Sequence, residues 1–453
     1  MTSFNLASLA LAILALALGI AARDNPAQEP RDPALNRPVI NVGPYTTGKP
    51  FPASPPRDRN RVCRVTGSGS MDRDDSQAIL EAMHQCNDGG GVILEGKITV
   101  AKALDLTFLR RIDVAITGTI KFTDDVAYWA ANSFKYPFQD SCSFWKWGGE
   151  DVNIFGHGVG EMDGSGQGCA CSTRLAYVEL SVLCGPTSGT RHHSDRLKTN
   201  PPNSVKWFNL YHNSTDVIVS DLHLHASSSI PDVEVKNTDG FDTLRSSNII
   251  VQNSVVQNTD DCVSFKPNTS AVVIQNLACT GSHGISVGSL GQYHRQVDVV
   301  EDLYVYNTSM ADASDGARLK VWPDRVPGSD AVDAGGGRGR VRNVTYHEFR
   351  SRGCDSAITV DQCYGQKNQT LCRAHPSRVT MEDVLFRDFT GTTSKRYDPR
   401  VGQLVCSAPE VCLDFRSQNI NVRNPSGREP LWICEGFDTS RMSIKCHQRH
   451  QVY

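Results

Sequence analysis

Val300-Glu301-Asp302-Leu303-Tyr304-Val305 holds the fold in miniature: an apolar residue, two polar ones, then alternating β-formers. The same pattern stands at Leu109-Arg-Arg-Ile-Asp-Val, Gly149-Glu-Asp-Val-Asn-Ile, Val219-Ser-Asp-Leu-His-Leu and Val251-Gln-Asn-Ser-Val-Val. It returns at Ile274-Gln-Asn-Leu-Ala-Cys, Val341-Arg-Asn-Val-Thr-Tyr and Met381-Glu-Asp-Val-Leu-Phe. From Val219 onward the copies start 32, 23, 26, 41 and 40 residues apart. Each is a short strand of period two bounded by Gly, Asn, Asp or Ser. Such units, repeated with no helix between them, predict an all-β chain wound as a parallel β-helix. An antiparallel sandwich is the rival, and it needs no repeat of this regularity.

Around the repeats the chain divides further. Residues 1–21 read as a secretory signal peptide, since residues 5–22 are an apolar run ending in small residues. Residues 22–60 hold nine prolines and read as an extended, poorly ordered segment. A helix is expected next, with Asp74, Asp75 and Ser76 offering caps and Ile79, Leu80 and Met83 on one face. It would cover the first open coil of a single domain spanning residues 61–450. Residues 168–200 lack strand alternation and read as a divergent loop, or as the translation of an intron or shifted frame. Cys169, Cys171, Cys184, His192 and His193 in that stretch are a minor alternative as a metal site.

A formal charge of -3 offers no strong attraction for nucleic acid, and no segment beyond the leader is long and apolar enough to span a membrane. Fifteen cysteines fit an oxidising compartment. Short loops would close through Cys63 with Cys86, Cys262 with Cys279, Cys363 with Cys372, Cys406 with Cys412 and Cys434 with Cys446. Sequons at Asn213, Asn268, Asn307, Asn343 and Asn368 agree with a secreted, extracellular glycoprotein.

Chemistry concentrates in the middle of the repeats. Asp260 and Asp261 are adjacent, Asp239 lies 21 residues before Asp260, and His283 lies 23 after it. Coils stack about 4.8 Å apart, so these spacings bring the four onto one face. Alone, the Asp pair would be a turn or a calcium site, and His283 a structural histidine. Together they make the acid and base that glycosidic hydrolysis requires. Cys262 would hold the acids rigid through Cys279, and glycines flanking His283 imply a close backbone approach. Arg318 and Lys320 alternate on a strand one coil further on, where they could bind a sugar carboxylate.

In Asn237-Thr238-Asp239, Asp260-Asp261, Gly281-Ser282-His283-Gly284 and Arg318-Leu319-Lys320, the chain resembles the polygalacturonases, glycoside hydrolase family 28. The family's Arg-Ile-Lys is here Arg-Leu-Lys. The resemblance implies a right-handed, pectin-lyase-like solenoid and inverting hydrolysis of α-1,4-linked galacturonate without metal or cofactor. It makes Asp260 the general acid, Asp239 and Asp261 the activators of water, and His283 the group that tunes the acid. Arg318 and Lys320 would hold the galacturonate carboxylate, with Tyr364 stacking on the sugar. Cys262-Val-Ser-Phe-Lys-Pro-Asn268, Gly288-Ser-Leu-Gly-Gln-Tyr293 and Lys320-Val-Trp-Pro323 look like the fungal exo-acting branch, in which Trp322 or Lys266 could close one end of the groove. The expected partner is pectic polygalacturonate, met by a monomer. Rhamnogalacturonan or xylogalacturonan would demand the same catalytic residues. A pectate lyase would use calcium and a basic residue in place of three acids, and a wall-binding solenoid would need none of them.

Overall fold

The computed structural model describes residues 32–165, 180–182, 198–199, 207–226, 235–329 and 331–448. The expected signal peptide and the Cys169, Cys171, Cys184, His192 and His193 group lie outside the described residues. Among the described residues, fourteen strands form one parallel sheet and thirteen a second, each coil contributing to both. The chain is a parallel β-helix, as the repeats predict, and a right-handed one, as the resemblance implies.

The repeats turn corners through their third residue. Arg111, Asp151, Asp221, Asn253, Asn276, Asp302, Asn343 and Asp383 all have positive φ, between 43° and 62°. Asn and Asp tolerate this left-handed region better than other side-chain-bearing residues, which accounts for their recurrence there. Neighbouring corners are laced together, Asn276 Nδ2 donating to Asn253 Oδ1 at 3.0 Å and Asn343 Nδ2 to Asp302 Oδ1 at 2.7 Å. The apolar residues on either side point inward and form one continuous core along the solenoid axis.

The helix Ser76–Gln85 closes the first coil, burying Ile79 and Met83, while Cys86 just beyond it is bonded to Cys63 on the first strand. Asp75, its N-cap, does not bond the helix; its Oδ2 accepts from Thr99 N at 2.9 Å and so ties the cap to the coil beneath. All five expected disulfides are formed, Cys262–Cys279, Cys363–Cys372, Cys406–Cys412 and Cys434–Cys446 joining Cys63–Cys86.

Two outcomes differ from the reading of the sequence. The stretch 168–200 contributes strands to both sheets: Leu180–Val182 pairs with Trp145–Trp147, and Lys198–Thr199 lies between Glu161–Met162 and His223–Leu224. Strand pairing is therefore present at these five residues, where alternation was not visible. Second, residues 32–60 are not loose, because polar contacts hold them where apolar periodicity is lacking. They rise along the solenoid as a strap and return. Arg37 binds the buried carboxylate of Asp113 at 2.8 Å, and Asn41 O accepts from Gln252 Nε2 at 3.1 Å. Tyr45 exchanges both backbone hydrogen bonds with the fully buried Gln275 and packs its ring 4.5 Å from Tyr304. On the return, Pro50 O accepts from Asn248, and Arg57 Nη1 meets Asp151 Oδ2 at 2.8 Å while its Nε lies 3.3 Å from Asp113.

Removing Arg57 would take the cation from Asp151 and leave Asp113 to Arg37 alone. Arg57→Ala is expected to lower the free energy of unfolding by about 3 kcal/mol, measured by denaturant titration.

Candidate active site

The site forms on the fourteen-strand sheet, where the strands Phe241–Leu244, Val263–Phe265, Ile285–Leu290 and Asp315–Val321 follow one another. Their register is Phe241 to Val263 to Ile285 to Ala317. Two residues ahead of these stand Asp239, Asp261, His283 and Asp315. The turn of Asp260 and Asp261 is held by the Cys262–Cys279 disulfide and by Asn258 Nδ2, which donates to the carbonyls of Thr238, Asp260 and Asp261. Gly284 is required because a Cβ there would lie 2.7 Å from the Gly316 carbonyl. The close approach that its motif implied is thus the next coil.

Asp239, Asp260, Asp261, Lys320 and Tyr364 line a cavity of about 420 Å³, together with Lys266. His283 reaches it through Asp260, its Nδ1 lying 3.2 Å from Oδ1. Asp261 Oδ2 accepts from Lys320 Nζ at 2.5 Å and its Oδ1 from Ser286 Oγ at 2.7 Å. Arg318 stands further back, 4.0 Å from Asp261 and 3.7 Å from Asp315. Tyr364 faces both cations, its ring centroid 5.8 Å from the Arg318 guanidinium and 5.9 Å from Lys320 Nζ. Trp322 packs edge-on against Tyr364 at 6.0 Å and supports that ring; it is not among the cavity's lining residues.

Asp242 escaped attention in the sequence, and Lys266, expected only at the end of the groove, is its partner. Asp242 is fully buried on its strand, and Lys266 Nζ lies 3.2 Å from Asp242 Oδ2 and 3.4 Å from Asp239 Oδ2. Lys266 also sits 4.2 Å from the ring centroid of Trp207. The only signal for Asp242 was its place in Asp239-Gly-Phe-Asp242, where alternation from Phe241 gives no reason for a buried charge.

Burial, then the charges of Asp242 and Asp260, push the Asp239 carboxyl well above the usual carboxylate range. Burial likewise lifts Asp242 to about 7, against the opposing pull of Lys266. Burial would lower the proton affinity of Lys266, but Asp242 and Asp239 raise it beyond the ordinary lysine value. Asp260 goes the other way: although burial opposes it, the hydrogen bond and charge of His283 hold its carboxyl well below the usual range. The hydrogen bond to Asp260 raises His283 in turn. These shifts favour the imidazole over Asp260 as holder of the pair's proton, whereas the resemblance expects Asp260 to carry it. Asp260, Asp261 and His283 offer ligand atoms within 4.8 Å of one another, a spacing that would suit a cation. Lys320 already neutralises Asp261 from one side, which weakens the group as a metal site.

Residues 96–444 match the family described as glycosyl hydrolases family 28. The chain belongs to this family and is a glycoside hydrolase. It is 49% identical over 413 residues to exopolygalacturonase A of Aspergillus niger, covering 90% of this chain and 94% of that protein. It is 45% identical over 427 residues to an exopolygalacturonase of Cochliobolus carbonum, covering 91% and 94%. Among solved structures, the endo-xylogalacturonan hydrolase of Aspergillus tubingensis superposes with a TM-score of 0.75 at 29% identity, covering 85% of this chain and 99% of that one. A polygalacturonase of Erwinia carotovora shares the fold, with a TM-score of 0.58 at 16% identity, covering 88% and 98%.

The electrostatics predict a bell-shaped pH dependence of kcat/KM. Ionised Asp239 is lost as pH falls through its raised pKa, so the acid limb should lie above the ordinary carboxylate range. The proton on His283 is lost as pH rises through its own raised pKa, so the basic limb should lie above the ordinary histidine value. Asp242→Asn removes a charge that raises Asp239, and the acid limb should move to lower pH.

Proposed function

We propose that this chain is a secreted, exo-acting, inverting hydrolase that removes galacturonate units from the non-reducing end of polygalacturonate. The observation that carries this reading is the lining of the cavity. The acids share it with Lys320 and Tyr364 from later coils and with Gln139, Trp207 and Tyr293. Gln139 N donates to the Tyr293 hydroxyl at 3.1 Å, tying a turn from early in the chain to the loop after Ile285–Leu290. Rings brought to the acids from separate stretches of the chain, with Lys320 beside Asp261, suit the end of an anionic chain better than its middle. The relatives named exopolygalacturonase support the same reading.

Asp260 is the proton donor in this proposal, working as a pair with His283. A bound sugar that excludes water and brings its own carboxylate raises the proton affinity of Asp260. The proton passes from His283 to Asp260 and on to the glycosidic oxygen as the C1–O bond breaks. Water attacks C1 from the opposite face and gives its proton to the carboxylates of Asp239 and Asp261. Arg318 and Lys320 bind the substrate carboxylate, and Tyr364 packs on the sugar. The family's chemistry supports these roles, together with the geometry around Asp261. The sequons at Asn213, Asn268, Asn343 and Asn368 are exposed and accord with a glycoprotein, while Asn307 is half-buried. The likeness to a xylogalacturonan hydrolase favours xylogalacturonan as the second reading of the substrate.

Product analysis on polygalacturonate tests the proposal. Galacturonate monomer should be the first product, released as the β-anomer, while viscosity falls slowly. Early oligomers would overturn exo action, and an initial α-anomer would overturn inversion. Hydrolysis of xylogalacturonan alone would favour the second reading. Asp260→Asn should lower kcat by about 10²- to 10⁴-fold with the fold intact.

A further inference from the structure

The sheet that carries the acids does not end at Lys320. Arg318 is paired in register with Thr359 and Thr359 with Gln403, on the strands Asp315–Val321, Ser356–Asp361 and Arg400–Val405. Lys320 is followed in the same way by Asp361. Gln403 therefore occupies the position of Arg318 two coils later, ~10 Å along the solenoid.

At that height lies a second cavity of about 410 Å³, lined by Asp361, Gln369, Tyr397, Arg400 and Gln403 among others. The Arg400 guanidinium lies 4.0 Å from the centroid of the Tyr397 ring and donates from Nη1 to Gln403 Oε1 at 3.1 Å. The face of an aromatic ring and a neutral amide oxygen hold it in place without neutralising it. Its Nε is buried and has no hydrogen-bond partner, and Gln369 Oε1 is buried and unpartnered in the same way. Among the described residues, no carboxylate lies within ion-pair distance of Arg400.

We propose that this cavity is a distal subsite for a uronate unit of the polysaccharide, on the side of the chain that departs after cleavage. Arg400 receives the uronate carboxylate on its guanidinium, and the Gln369 side chain faces a sugar hydroxyl. Asp361, one coil nearer the acids, keeps the site from being a general anion trap and favours a hydroxyl at its own height. The inference rests on the reading that polygalacturonate is cleaved from its non-reducing end. On that reading the polymer runs on toward the C-terminal coils, where Arg400 lies.

Arg400→Gln and Arg400→Lys, assayed on polygalacturonate and on digalacturonate, test the proposal. Digalacturonate spans the scissile bond and does not reach Arg400. Arg400→Gln should raise KM for the polymer about tenfold, as expected for one charge-assisted hydrogen bond, with kcat unchanged. Both constants for digalacturonate should stay at the unaltered values, and Arg400→Lys should recover part of the polymer KM. As a readout independent of turnover, calorimetric binding of a long oligogalacturonate to the Asp260→Asn protein should weaken by the same factor when Arg400→Gln is added. An unchanged polymer KM, or equal losses on both substrates, would overturn the subsite while leaving the activity standing. If the unaltered enzyme releases no galacturonate from either substrate, the activity reading fails and the subsite with it.

Discussion

A coil of this solenoid settles on the one below only where inward apolar residue meets inward apolar residue, and every other feature inherits that demand. Phe241, Val263, Ile285 and Ala317 are wholly buried and lie opposite one another on successive strands. A slip of one residue would turn each of them outward. Because the loops ahead of these strands are short, the apolar column also sets the column of Asp239, Asp261 and His283. Like charges would separate if the chain were free to let them. Burial of the larger side chains in that column, worth roughly 1.5–3 kcal/mol each, imposes the crowding that the chemistry requires.

The crowded acids are divided between two sets of cations. Lys266 serves Asp239 and Asp242, and Lys320 with Arg318 serves Asp261. His283 attends to Asp260. Each carboxyl thereby meets a different environment, and it is the difference between environments that allows one to release a proton while another accepts one. Lys266 opposes the burial that raises Asp239 and Asp242, and so favours their ionised forms.

The repeats were legible because one residue type answers one backbone need. Asn and Asp recur at the left-handed corner, and Val, Ile, Leu and Phe recur beside it, so the winding could be read from a single chain. The column of Asp239, Asp260, Asp261 and His283 was legible for the same reason, since spacing close to one coil translates directly into proximity. Cysteines close in sequence likewise pointed to their partners. What escaped depends on contacts that carry no period. Gln139 meets Tyr293 across 154 residues, and neither residue announces the other. Asp242 sits at a position where strand alternation predicts nothing special. The strap was misread because proline content signals a lack of helix and strand, which differs from a lack of structure. Arg37, Tyr45 and Arg57 fasten it through single contacts that leave no pattern.

Most contacts in a solenoid join a coil to its immediate neighbours, so stability tends to add up coil by coil and the ends can unravel first. The strap breaks that rule. Tyr45 hydrogen-bonds to Gln275 across 230 residues and packs on Tyr304, while Arg37 and Arg57, on either side of it in sequence, grip Asp113 and Asp151. The early coils and the catalytic coils are therefore joined by a second, independent route. Partial melting of any coil between them must either stretch the strap or release it. Unfolding of the N-terminal half should consequently be concerted rather than progressive, and the acids in the middle are protected by a segment that touches none of them.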